Sequence, residues 1–236
     1  METFINNPDT MAQLDVLHAA NESEMVEEAR RQFAGDDTEF FCLLEKYRQS
    51  PVDEQGALLS TYEIDLQKDH LSLGVSEATG RLLYQMARAI RAERILELGS
   101  STGLSTAWLA GALKDMNRGQ VIATEIVPEK VDKLYKLMRS LGLSDFVHIA
   151  AGDVFVTAGE LAGTFDLIFL DVWAKDYLDL LRAVEQLCRP GTVVVADNLL
   201  TAGDKLEAFI SYTQTSPFWS SLTLPMESGL RLMVAV

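Results

Sequence analysis

The chain is short of the features that would tie it to a membrane, a disulfide scaffold or a nucleic acid. No apolar run approaches the roughly 20 residues needed to cross a bilayer. The opening METFINNPDT lacks a basic start followed by an apolar stretch, so no export leader is expected and a cytoplasmic location follows by default. Only two cysteines occur, Cys42 and Cys188, far apart and outside any CxxC spacing. No disulfide framework or structural zinc is implied, and both thiols are expected to be ordinary buried side chains. Basic residues are scarce: Lys and Arg number 20 against 35 Asp and Glu, a net charge of −15. Phosphate binding needs Lys and Arg concentrated on one face, so a nucleic-acid partner is not expected. A small or cationic ligand suits an acidic protein better.

What is present is ordinary for a globular chain. With 236 residues, 48% hydrophobic and 23% charged, it can form one α/β domain with a large core, or a smaller domain plus an appendage. From Thr10 to about Arg48, Met11, Leu14 and Leu17, then Met25, Ala29 and Phe33, recur at three- and four-residue steps and predict helices. Asn21, Glu22 and Ser23, and later Gly35, Asp36 and Asp37, interrupt the pattern and predict short helices rather than one rod. Residues 1–65 therefore read as a helical extension, either a lid or a dimerisation element that makes a homodimer plausible, ahead of a domain over 66–236.

From Ala92 onward, short β-branched runs alternate with amphipathic stretches, which predicts a mostly parallel sheet with helices on both faces. Seven strands are expected: Arg94 to Leu98, Val121 to Glu125, Val147 to Ala150, Phe165 to Leu170, Thr192 to Asp197, Trp219 to Leu224 and Leu230 to Val236. No room for a helix separates the last two, so they should form a hairpin with the final strand antiparallel.

The most informative segment is ILELGSSTGLSTAWLA. Its strand ends at Glu97 and Leu98, turns through Gly99 to Gly103 and enters a helix near Ser105. Open α/β sheets bind ligands outside the carboxyl ends of their strands, and glycine there lets backbone approach a ligand closely. A dinucleotide fingerprint would need glycine where Ser101 and Leu104 stand, and no Gly-Lys-Ser/Thr follows for a Walker loop. What remains is a tight turn preceded by an acid, suited to a ligand with a cationic group and no phosphate. S-adenosylmethionine, a sulfonium with an amino-acid tail, has that chemistry. Glu125, closing the second strand, stands where an acid can accept hydrogen bonds from both ribose hydroxyls. Asp153, after the third, reads equally as a receiver of the adenine amino group or as a helix N-cap.

ELGSSTGLS, ATEI, AGDV, FDLIFLDVWAKDY and RPGTVVVADN, in that order, resemble the motifs of the class I methyltransferases, in particular the cation-dependent O-methyltransferases that include the catechol and caffeoyl-CoA enzymes. The resemblance runs from about His70 to the C-terminus. LSLGVSEATGRLL is similar to the segment preceding the first helix of that domain, with Glu77 where the family usually has proline. It implies a Rossmann-like α/β domain whose donor contacts come from Glu97, Gly99, Ser101, Gly103, Ser105, Glu125, Asp153, Val154, Asp171 and Trp173.

A second site is expected at the same sheet edge, where Asp171 ends the fourth strand and Asp197 and Asn198 end the fifth. Two carboxylates and an amide oxygen, without His or Cys, suit a hard divalent cation such as magnesium, and the resemblance implies that ion at these positions. It also implies a small-molecule acceptor bearing a hydroxyl, activated by the cation. The catechol enzymes carry a lysine where this chain has Ala174; Lys175, one step later, is the candidate base beside Asp171, although one residue turns a helical side chain by about 100°. Trp173 matches the catechol branch. His70 is an alternative proton acceptor. Besides the cation-dependent enzyme, three readings stay open: a transferase without the metal, a non-catalytic donor-binding protein, and a dehydrogenase with a degenerate glycine turn.

Overall fold

The computed structural model describes residues 3–66, 68, 70–200 and 202–236. β1 (Arg94–Leu98), β2 (Gln120–Glu125), β3 (Val147–Ala151), β4 (Leu167–Leu170), β5 (Val193–Ala196), β6 (Trp219–Leu224) and β7 (Leu230–Ala235) form one sheet in the order β3-β2-β1-β4-β5-β7-β6. The neighbours from β3 to β5 pair in parallel, and β7 pairs antiparallel with both β5 and β6. The expected strands and terminal hairpin are present, with β4 and β5 shorter than anticipated because Phe165, Asp166 and Thr192 lead into them outside the ladder.

Alternation sends the strands' apolar residues to two faces. Ile95, Val121, Phe169 and Val195 pack with α4 (Glu77–Ala89), α5 (Leu104–Met116) and α6 (Pro128–Ser140). Leu96, Leu98, Ile168, Leu170 and Val194 pack with α7 (Val154–Glu160), α8 (Tyr177–Val184) and α9 (Glu207–Thr215). Every residue of α5 from Leu104 to Leu113 is buried, as befits a helix with apolar side chains all round. The chain winds from β1 outward to β3, then returns to lay β4 on the other side of β1. The carboxyl ends of β1 and β4 thus flank the point where the winding reverses, where open α/β sheets hold ligands.

Ahead of the sheet lie α1 (Pro8–Gln32), α2 (Asp37–Gln49) and α3 (Val52–Thr61). The expected break in the first of these is absent: α1 runs 25 residues straight through Asn21, Glu22 and Ser23. Local propensity loses to packing here, because Asn21 is buried and a Cβ on Gly74 would stand 2.8 Å from its Nδ2. The break at Gly35 is real, and Asp36 and Glu39 form a reciprocal capping box that starts α2. The expectation of two buried thiols is also corrected. Cys42 lies on an outward face of α2 and is exposed, while Cys188 is half-buried; burial, with the charge of Glu185, pushes its thiol up to about 12, which leaves it unreactive at neutral pH. Among the described residues, no helix is long and apolar enough to cross a membrane.

Candidate active site

After Leu98 the backbone reverses through Gly99, Ser101 and Gly103, all with positive φ (87°, 46° and 95°). A Cβ on Gly99 would stand 2.2 Å from the carbonyl oxygen of Asp171, and one on Gly103 would stand 2.3 Å from Leu134 Cδ1. Glycine at these positions admits the end of β4 on one side and α6 on the other. The turn is tied to β2: Gly99 N donates to Thr124 Oγ1 (3.1 Å), Ser100 N to Thr124 O (2.9 Å), and Thr124 Oγ1 to Glu97 O (3.0 Å).

Beneath the turn Glu97 is completely buried. Its Oε2 accepts from Ser100 Oγ (2.8 Å) and Thr106 Oγ1 (2.5 Å), whereas Oε1 is buried without a partner among the described residues, as is Ser101 Oγ. Burial raises the Glu97 carboxyl above its usual range; the hydroxyls of Ser105, Thr106 and Ser100 pull the other way, and Glu125 adds to the rise. At the end of β2, Glu125 Oε1 accepts from Ile126 N (2.9 Å) and Val127 N (2.8 Å). Asp153 is exposed and caps α7, its Oδ1 accepting from Phe155 N (2.8 Å), and Val154 opens that helix half-buried.

Asp171, Asp197 and Asn198 come together at the adjacent strand ends. Asn198, left-handed at φ 64°, turns its Nδ2 to Asp171 Oδ1 (2.7 Å). Asp197 is 4% exposed, and its Oδ1 accepts from Asn198 N (2.6 Å) and from Ser228 Oγ. Burial pushes Asp171 well above the usual carboxylate range, the negative charges of Asp197 and Glu97 push it further, and Asn198 and Lys130 oppose them. Burial raises Asp197 too, against the hydrogen bonds from Ser228 and Asn198. Trp173 is half-buried beside this edge in sequence; Ala174, next to it, faces the core, and Lys175 is exposed on the following turn. His70 is exposed, with Nε2 3.4 Å from Glu28 Oε2 on α1. The edge therefore gathers Asp171, Asp197 and Asn198, with the glycine turn beside them, and leaves Lys175 and His70 outside. Among the described residues, no three His, Cys, Asp or Glu side chains form a metal cluster.

The family model described as a methyltransferase domain matches residues 96–199. The catechol O-methyltransferase of Niastella koreensis is 33% identical over 158 residues, which cover 65% of this chain and 71% of that protein. The catechol O-methyltransferase of Mycobacterium tuberculosis is 33% identical over 132 residues, 56% of this chain and 59% of that one. The chain belongs to the class I S-adenosylmethionine-dependent O-methyltransferases. The same fold is seen in an SAH-bound methyltransferase from Podospora anserina (TM-score 0.64, 18% identity, 98% of this chain and 97% of that one). An O-methyltransferase from Bacillus cereus in complex with SAH shares it as well (TM-score 0.62, 21% identity, 80% and 92%).

Several side chains at this edge carry no legible motif. Ser228 reaches Asp197 from the β6–β7 hairpin, 31 positions away. Tyr177, completely buried, donates from its hydroxyl to Asp197 O (3.1 Å); burial, then Asp171 and Asp197, hold that hydroxyl well above its usual range. Lys130 is buried in the first turn of α6. A buried tyrosine six positions after a strand-end aspartate was the one available hint, and it reads equally as core.

Glu97 gives the donor-free O-methyltransferase a pH signature. An unfolded Glu titrates near 4.3. Because the folded carboxyl titrates higher, its stabilising contribution is complete below about pH 4 and is lost as pH rises through the folded value. Glu97→Gln removes this dependence. The difference in melting temperature between wild type and variant should move in favour of wild type as pH falls from about 7 to about 5; a pH-independent difference would contradict the raised value.

Proposed function

We propose that this chain moves the methyl group of S-adenosylmethionine onto a hydroxyl of a small catechol-like or phenolic molecule, with a divalent cation such as magnesium at Asp171, Asp197 and Asn198. The observation that carries the reading is the meeting of a buried carboxylate, Asp197, and a half-buried one, Asp171, beside a glycine turn that covers an acid with one orphaned oxygen. Like charges so placed repel unless a cation intervenes, and an all-oxygen donor set suits a hard ion. The catechol O-methyltransferase names of the relatives point the same way. A bound divalent cation lowers the pKa of an acceptor hydroxyl and orients its oxygen.

The chain's own residues supply the rest. Gly99, Ser101, Gly103 and Ser105 line the turn for the donor's tail, and Glu97 Oε1 is an acceptor with nothing yet to accept. Glu125 spends Oε1 on backbone and keeps Oε2 for the ribose hydroxyls. Val154 and Trp173 flank the adenosine, with Asp153 receiving its amino group through the oxygen not used in capping. Asp171 and Asp197 fix the acceptor oxygen in line with the departing sulfur. With Lys175 in solvent, the acceptor's proton passes to water. Residues 1–65 act as the lid, supported by Asn21 against Gly74 and by Ser72 N donating to Glu24 Oε2 (2.9 Å). A metal-independent transferase is the second reading, favoured by the amide nitrogen that Asn198 already presents to Asp171.

Titration calorimetry tests the core of the proposal. S-adenosylhomocysteine should bind with micromolar affinity, and the protein should methylate a catechol in a panel of phenols. No heat with either the donor or its demethylated product would overturn it.

A further inference from the structure

We propose that Asn21, on the first helix of the N-terminal extension, donates its side-chain amide to the α-carboxylate of the methyl donor's amino-acid tail, so that the lid completes the donor site. The inference rests on the donor assignment above and adds a contact to it.

Three side chains on one face of α1 meet the segment that leads into α4. Glu28, Glu24 and Asn21 succeed one another at four- and three-residue steps, and each faces a residue further along that segment. Glu28 Oε2 lies 3.4 Å from His70 Nε2, Glu24 Oε2 accepts from Ser72 N (2.9 Å), and Asn21 stands against Gly74. The first two contacts hold the third in register but leave it without a bond. Asn21 is 8% exposed, and its Nδ2 has no hydrogen-bond partner among the described residues. A buried donor left unsatisfied is costly, and such groups normally have a partner, so this one calls for an acceptor that arrives from outside the chain.

Gly74 places the amide beside the glycine turn. A Cβ on Gly74 would lie 2.8 Å from Asn21 Nδ2, and 3.0 Å and 3.4 Å from Leu104 Cδ2 and Cβ. The amide and the first residue of α5 are therefore separated by the room of one missing methyl group. α5 starts after Gly103, and no side chain caps its first N–H groups. Ser101 Oγ, in the same turn, is buried and unpartnered as well. Uncapped helix N–H groups, a hydroxyl and an amide thus gather at the start of α5.

The carboxylate is the part of the donor that fits them. Glu97, Glu125 and Asp171 around the turn suit the tail's ammonium and the sulfonium, but they repel an anion, which needs N–H and O–H donors at a helix N-terminus. Asn21 supplies such a donor without adding an acid. Glu24, one turn along α1, has its charge met by Lys133 Nζ at 3.7 Å, which limits its repulsion of the anion.

The test compares S-adenosylhomocysteine with its decarboxylated analogue, S-adenosyl-3-thiopropylamine, by calorimetry on the full chain. Asn21→Leu keeps the size of the side chain and removes its polar atoms. Without ligand it should melt at or above the wild-type temperature, because a buried unpartnered amide is gone. It should nevertheless bind S-adenosylhomocysteine roughly 10- to 100-fold more weakly and the analogue within about threefold of wild type. Asn21→Asp sets a like charge beside the carboxylate, so it should weaken S-adenosylhomocysteine at least as much while the analogue binds as well or better. Should the leucine variant unfold before it can be titrated, the aspartate variant carries the comparison. Undiminished binding of S-adenosylhomocysteine, or an equal loss of both ligands, overturns the assignment. Wild type that binds neither ligand overturns the donor reading itself, a separate outcome visible before any variant is made.

Discussion

Asp197→Ala should lower kcat/KM at least about a thousandfold while S-adenosylhomocysteine affinity changes less than about threefold. The split follows from position. Asp197 follows β5, two strands from β1 and its glycine turn, so its loss removes the proposed cation and the ordering of the acceptor without touching the donor's cradle. Chelator-treated wild type should match the variant, and magnesium should restore wild type alone. Stability will move little: Asn198 N and Ser228 Oγ lose their acceptor, costing about 1–3 kcal/mol, but removing the buried one of two neighbouring, mutually repelling carboxylates offsets part of this. Asp197→Asn, which keeps an acceptor for both donors, separates the two effects. Turnover that survives both chelation and the alanine substitution would sink the cation reading and leave the metal-independent transferase standing.

Gly99→Ala should lose donor binding by more than about 30-fold and lower the melting temperature by roughly 6–12 °C. Two costs add. At φ 87° a side chain is strained by roughly 1–2 kcal/mol. The new Cβ would also stand 2.2 Å from Asp171 O and 3.1 Å from Val172 Cγ1, an overpacking cost of about 1–3 kcal/mol. The carbonyl cannot withdraw cheaply, because Asp171 N donates to Leu98 O (3.0 Å) and locks β4 to β1. Any relief must part the two strand ends between which the donor is proposed to lie. Gly159→Ala is the control: its Cβ would meet nothing within 4 Å, inside α7, so stability should be unchanged or higher by up to about 1 kcal/mol. A Gly99→Ala protein that melts with wild type and binds S-adenosylhomocysteine normally would remove the turn from the donor site.

Sequence periodicity determined the sheet, the hairpin and the edge at which the site lies. Alternating apolar residues in β1, β4 and β5 and the glycines at positions 99 and 103 are local signals: each reports its own backbone geometry and needs no distant partner. Asp171, Asp197 and Asn198 were legible because strand ends in a parallel sheet share one edge by construction. Tertiary packing alone decided the rest. It kept α1 helical through Asn21, where local propensity favours a turn but burial against Gly74 wins. It left Lys175 in solvent and turned Lys130 inward, a difference set by which face of each helix meets the sheet. It also delivered Ser228 to Asp197 across 31 positions. Such choices depend on which surfaces meet, and no stretch of sequence encodes a meeting by itself.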